Sequence, residues 1–110
     1  MPEPREQFIS EPITPVPGTF DPQGIAQGEP GLPARFIWRN DEYRVAEVLS
    51  VWKTSTPEKS GGEVYLRRHW WELRTVTGHV FKIYFERQRK RRDAKTRWFI
   101  YTVIPPAGPA

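Results

Sequence analysis

The sequence predicts an all-β fold: a small antiparallel meander of five to six strands curled into a barrel or half-barrel, with a Pro/Gly-rich N-terminal arm. Three observations lead there. β-branched and aromatic residues gather in short runs between Arg35 and Ile104, turn-forming residues separate those runs, and no convincing helical pattern interrupts them. One strand is apolar on both faces, and a long flat sheet would leave two edges open, so curling follows.

Residues 1–7 read as a disordered tail, and residues 8–16, "FISEPITPV", as an N-terminal edge strand, because Pro12 and Pro15 cannot donate to a ladder on both sides. Residues 17–34 form a Pro/Gly-rich linker loop, 35–104 the β domain, and 105–110 a disordered tail. In "RFIWRNDEYRV" a two-residue Asn40-Asp41 loop pairs Arg39 with Glu42, Trp38 with Tyr43 and Phe36 with Val45. The next run, "VAEVLSVW", is apolar on both faces, which predicts a strand that is bent, bulged or buried on both sides. "TSTPEKSGGE" reads as a loop.

The hairpin that follows has a register fixed by side-chain chemistry. A three-residue Val76-Thr77-Gly78 loop sets Leu73 against Phe81, Trp71 against Ile83, Glu72 against Lys82, Trp70 against Tyr84 and Arg68 against Glu86. It also puts Gly78 at the left-handed position closing a type I turn with a bulge, where glycine costs least. A two-residue loop would mix the faces. One face is then Trp71, Leu73, Phe81, Ile83 and Phe85. The other carries Arg68, Trp70, Glu72, Arg74, Lys82, Tyr84 and Glu86. A last strand, Trp98 to Ile104, stops at Pro105-Pro106.

Charge is divided between the two halves. Residues 1–34 hold eight of the twelve prolines and five acids against one base, a net of −4, whereas residues 35–110 hold sixteen bases and eight acids, a net of +8. The basic half favours anionic partners. With no cysteine there is no disulfide, thiolate metal site or cysteine nucleophile, and a reducing cytoplasm suits the chain. No secretory leader and no membrane-length apolar run is visible. His69 and His79 read as ordinary strand and turn residues, and Gly61-Gly62 as a loop pair, so no catalytic site, metal site, cofactor or small-molecule substrate is expected.

Binding residues are easier to find. Arg67, Arg68, Arg74 and Lys82 around Trp70 and Tyr84 make the mixture of cations and exposed aromatic faces that single-stranded nucleic acid uses for phosphate contact and base stacking. "FERQRKRRDAKTRWF", Phe85 to Phe99, adds Arg87, Arg89, Lys90, Arg91, Arg92, Lys95 and Arg97 against only Glu86 and Asp93. The competing reading of the face is a solvated surface whose tryptophan packs under the acidic arm; that of the basic stretch is a soluble hairpin loop.

Four stretches, "FISEPI", "FIWRNDEYRVAEVLSVW", the Trp71 to Phe85 hairpin with "TGHVFKIY", and "RWFIYTV", resemble a small bacterial domain family of unknown function. That family occurs alone or attached to proteins related to Y-family DNA-repair polymerases. The chain departs from it in the first hairpin, where "RNDEY" replaces a usual glycine. The resemblance implies that "FISEPITPV" is a strand of the domain, and through neighbouring domains it implies DNA repair. The expectation is a monomeric, non-catalytic accessory domain that binds nucleic acid in damage tolerance. The alternative is a module that docks a repair protein through exposed aromatics or a sheet edge.

Overall fold

The computed structural model describes residues 5–26, 30–57, 65–87 and 97–106. Seven antiparallel strands form one sheet curled into a half-barrel: β1 (Gln7–Pro12), β2 (Thr14–Pro15), β3 (Arg35–Trp38), β4 (Asp41–Pro57), β5 (Tyr65–Thr75), β6 (Val80–Arg87) and β7 (Trp98–Ile104). The five strands expected in the basic half are β3 to β7, in hairpin order. The element list differs from expectation in two places. A single helical turn, α1 (Pro22–Ala26), lies in the 17–34 stretch, and the N-terminal run supplies two strands in place of one.

The strand order is β1-β7-β6-β5-β4-β3-β2, so β1 and β2 stand at opposite ends of the sheet although only Ile13 separates them in sequence. One stretch of chain therefore spans from β7 to β3. Pairing with β7 runs from Gln7↔Val103 to Pro12↔Phe99 and ends in the bond from the Ile13 amide to the Trp98 carbonyl, 3.0 Å. Pairing with β3 then begins at Thr14↔Ile37 and Pro15↔Phe36, followed by the Val16 amide bonded to the Arg35 carbonyl, 3.0 Å. The prolines explain the change of partner, since each removes a ladder donor and limits pairing to one side. Ser10, at a positive φ of 54°, lies within the bulge that bends β1.

The first turn is displaced by one residue from the predicted Asn40-Asp41 loop. Its central residues are Arg39 and Asn40, both left-handed at φ 52° and 68°, as a type I′ turn requires. The pairs are Phe36↔Tyr43, Ile37↔Glu42 and Trp38↔Asp41. Such a shift preserves which side chains share a face, so Phe36, Trp38 and Tyr43 still point into the core. Arginine does not favour this conformation, but its guanidinium lies 4.5 Å over the Trp38 ring and 2.6 Å from Glu11. Stacking of Phe36 on Tyr43 at 5.8 Å also needs this register.

Strand β4 is bulged, one of the three outcomes its two apolar faces allowed, with register shifts between Val45 and Glu47 and between Val48 and Ser50. It also continues through Thr54 to Pro57, which the sequence places in a loop; residues 58–64 lie outside the described residues. The β5–β6 hairpin has the predicted register at all five pairs. Its turn is closed by the Gly78 amide on the Thr75 carbonyl, 2.9 Å, with Gly78 at φ 91°.

The concave face is the core. Phe36, Leu73, Phe81, Ile83 and Ile100 are fully buried, with Trp71 and Trp98 5.2 Å apart beside them. Ile13 enters this core from the strand switch and is 3% exposed. Phe20 and Leu32 pack against this core and an isolated bridge joins Phe20 to Pro33; Gly31 is required nearby because a Cβ there would sit 2.5 Å from the Asp21 carbonyl oxygen.

Ile13→Ala is expected to lower the unfolding free energy by about 2–5 kcal/mol in chemical denaturation, the range for truncating a buried isoleucine. Gly78→Ala should cost about 1–2 kcal/mol, the penalty of a Cβ in the left-handed region. A change below about 0.5 kcal/mol at either site would contradict these assignments.

Candidate nucleic-acid interface

The convex face is where the sequence places Arg68, Trp70, Arg74, Lys82 and Tyr84, and the structure brings them together across β5 and β6. Their environment differs from the expected open platform. Trp70 and Tyr84 are only 8% and 7% exposed. Among the described residues it is other rings, not the acidic arm, that cover them. Trp52 on β4 stacks parallel to Trp70 at 5.6 Å, Tyr84 lies against it at 4.7 Å, and Tyr101 on β7 meets it edge-on at 5.2 Å. Phe99 stacks on Tyr84, and Phe8 of β1 sets its ring edge-to-face on Tyr101. The indole Nε1 of Trp70 donates to Thr54 Oγ1 at 2.8 Å.

An aromatic belt thus crosses from β4 to β1, and Trp70 and Tyr84 are its interior. Rings whose faces are occupied by other rings offer no base-stacking surface. The open members are those at its margin: Trp52, half-buried, Tyr101, 38% exposed, and Phe8, 69% exposed. Trp52 escapes the sequence reading because its pairing with Trp70 depends on the two bulges in β4. A regular strand would shift that register.

The cations of the face are mostly committed. Arg68 lies 4.5 Å over the Tyr84 ring and 3.5 Å from Glu86, which is the cross-strand pair the register predicts. Its Nε is buried without a hydrogen-bond partner. Arg74 bonds to Glu47. Lys82 stands opposite Glu72 as the register predicts, but its ammonium contacts Glu6 at 2.8 Å, and Thr102 Oγ1 donates to the same carboxylate at 2.8 Å. These bonds, led by that from Lys82, hold the Glu6 carboxyl below its ordinary value and raise Lys82. In and beside β3, Arg39 and Trp38 share Glu11, and Arg35 lies 3.6 Å from Glu42.

A different set of cations is uncommitted. Arg67 and Arg97 are exposed and have no ion pair among the described residues. The pairings Arg67↔Arg87 and Ser55↔Arg67, with the Glu86 amide bonded to the Arg97 carbonyl at 2.9 Å, put the backbones of Arg67, Arg87 and Arg97 at one end of the sheet. The segment joining β6 to β7 leaves and returns there. Arg89, Lys90, Arg91, Arg92 and Lys95 belong to it and lie outside the described residues, as does the side chain of Arg87.

The histidines stand apart from both sets. His69 is buried beside Trp71. His79 stacks on Phe81 at 5.6 Å, its Nδ1 is 2.7 Å from Thr77 Oγ1, and burial lowers its pKa. Among the described residues no cluster of His, Asp and Glu is placed to hold a metal ion, and no helix is long and apolar enough to cross a membrane.

The family model of a domain of unknown function, DUF6504, matches residues 1–104. The chain belongs to this family. No curated protein and no solved structure matches it. The DUF6504 match runs from the N-terminal arm through β7, so the strand switch at Ile13 and the aromatic belt fall within the family domain.

Glu6→Gln should reduce stability by about 0.5 kcal/mol at pH 7, a value discounted for partial exposure. Because the folded Glu6 pKa is depressed, its contribution is present above the ordinary glutamate value of 4.5 and is lost as pH falls through the folded value. The difference from wild type in thermal melts should therefore vanish on acidification; a pH-independent difference would contradict the assignment. His79 acts in the same direction at higher pH: its stabilising effect is present above about 6.5 and declines as pH falls.

Proposed function

We propose that this DUF6504 domain is a non-catalytic accessory domain that binds nucleic acid, single strands in preference to duplex, through the basic end of its sheet. The observation that carries the reading is the sorting of its cations. Arg35, Arg39, Arg68, Arg74 and Lys82 are each tied to a carboxylate, whereas Arg67 and Arg97 are open and adjoin a segment with five further cations and one acid, Asp93. Phosphate contact requires cations that no internal carboxylate neutralises. Arg44 and Arg5 are also exposed, but each stands away from this end.

Stacking in this reading falls to the margin of the aromatic belt. Trp52 lies three residues from Ser55, which pairs with Arg67, and Tyr101 lies four residues from Arg97. At about 3.3 Å per residue those rings are about 10–13 Å from the basic end, within reach of a single strand held there by two or three phosphates. The likeness to domains attached to Y-family polymerase relatives gives the reading its setting, DNA-damage tolerance in the cytoplasm, by association alone.

Anisotropy titration of labelled single- and double-stranded oligonucleotides at two salt concentrations tests this. Binding should weaken with salt at a log–log slope of about −0.7 per phosphate neutralised on single strands. Arg91→Glu/Arg92→Glu should abolish it at moderate salt, and Trp52→Ala or Tyr101→Ala should cost about 1–3 kcal/mol on single strands, with little effect on duplex. No binding at low salt, or binding insensitive to these cations, would overturn the proposal in favour of protein docking.

A further inference from the structure

Resting on the nucleic-acid reading above, we infer that the cavity beside the strand switch seats one unstacked base of the bound strand, with Arg97 on the adjoining phosphate. The cavity measures about 380 Å³. Its apolar walls are Ile13, Pro15 and Pro17 of the N-terminal run, Phe20 of the loop that follows, and Phe85 and Trp98, which pair across β6 and β7. Ile13 and Trp98 are buried, Pro15, Phe20 and Phe85 are half-buried, and Pro17 is exposed, so the walls run from the core to the surface. Ligand sites span about 300–1,000 Å³, and a volume at the small end has room for one nucleotide but not for a length of peptide.

The charge of the lining selects an anion. Among the described residues Arg97 is the one charged group in the cavity wall, and it is exposed with no ion pair. Thr14, also in the wall, has a hydroxyl that makes no hydrogen bond among the described residues and can bond a base edge or a phosphate oxygen. The larger groove beside α1, about 640 Å³, has the opposite character, because its one charged wall is Asp21. A carboxylate there repels phosphate, so the two cavities do not compete for the same ligand.

Position and wall chemistry select a base. Phe85 pairs with Trp98, and the Glu86 amide bonds the Arg97 carbonyl at 2.9 Å, so the cavity adjoins the sheet end that carries the backbones of Arg67, Arg87 and Arg97. A strand whose phosphates lie along that end passes the cavity at Arg97. Three of its six apolar walls are aromatic, and every base has a π-face for such rings whatever the sequence. A guanidinium beside an aromatic slot is complementary to a nucleotide, in which phosphate and base are joined in the same way. Bases in a duplex must first be unpaired and unstacked to enter. The cavity thus gives the preference for single strands a source on the concave face, separate from the belt margin on the convex one.

Photo-crosslinking of the full chain to a short oligothymidylate carrying 4-thiothymidine, with the crosslinked residues mapped by mass spectrometry, tests the site beside anisotropy titrations. Crosslinks should fall on Phe20, Phe85 or Trp98 as well as on the belt margin. Thr14→Met/Pro17→Met crowds the mouth with flexible apolar chains and adds no ring. It should remove the cavity crosslinks and cut the ratio of single-strand to duplex affinity about tenfold. Should the double variant not fold, the wild-type crosslink map decides. Strand binding without a crosslink in the cavity, or an unchanged affinity ratio in the folded variant, would overturn the inference and leave the nucleic-acid reading standing. Absence of strand binding at low salt would overturn both. Loss of the cavity crosslinks to thymidine monophosphate equimolar with the strand would assign the cavity to free nucleotides and overturn the seated base.

Discussion

The fold depends on one change of partner at Ile13. Six residues of the N-terminal run complete β7, two complete β3, and the isoleucine between them is buried in the common core. Without that run, the residues from Arg35 to Ile104 would form a sheet with two open edges and an incomplete concave face. Prolines make the switch definite: Pro12 and Pro15 each withhold a donor on the side where no partner is available. Two ion pairs, Glu6 with Lys82 and Glu11 with Arg39, tie the arm to the basic half on the N-terminal side of this point. Glu6 and Glu11 thus hold the arm in place.

These pairs also shape the surface. Glu6 neutralises Lys82, which the sequence places on an open phosphate-binding face, and Glu11 neutralises Arg39, which supports a strained turn. Among the described residues, Arg67 and Arg97 at one end of the sheet, and Arg5 and Arg44 away from it, are exposed and have no ion pair. The convex aromatics are self-satisfied in the same way. Trp70 and Tyr84 use their faces on one another and on Trp52, Tyr101 and Phe99, a set of contacts each contributing about 0.5–1.5 kcal/mol beyond area burial. Those rings brace the sheet from outside, and the nucleic-acid contact proposed above falls to the margins, the belt's outer rings and the basic end.

Much of this was legible in the residues. The β5–β6 register followed from matching apolar to apolar and charge to charge, and Gly78 marked its turn because only the left-handed position rewards a glycine there. The limits of β7 followed from Pro105-Pro106. Non-local events were not legible. The Arg39-Asn40 turn won over Asn40-Asp41 through contacts of Arg39 with Glu11, 28 residues away, and through Phe36 stacking on Tyr43. Trp52 reaches Trp70 only because two bulges offset β4, and bulge positions leave no clear mark in a strand that is apolar on both faces. The burial of Trp70 escaped for the same reason. Charge pairing of Lys82 with Glu6 spans most of the chain, beyond any local rule.

The central claim, that the N-terminal run is an integral part of the sheet, is tested most directly by removing residues 1–16 and following unfolding of the remainder by tryptophan fluorescence and circular dichroism. The account predicts that the truncated chain loses its cooperative transition, or shows one at far lower denaturant, and that adding the missing sixteen-residue peptide in trans restores it. A truncated chain that unfolds cooperatively at the wild-type midpoint would contradict it.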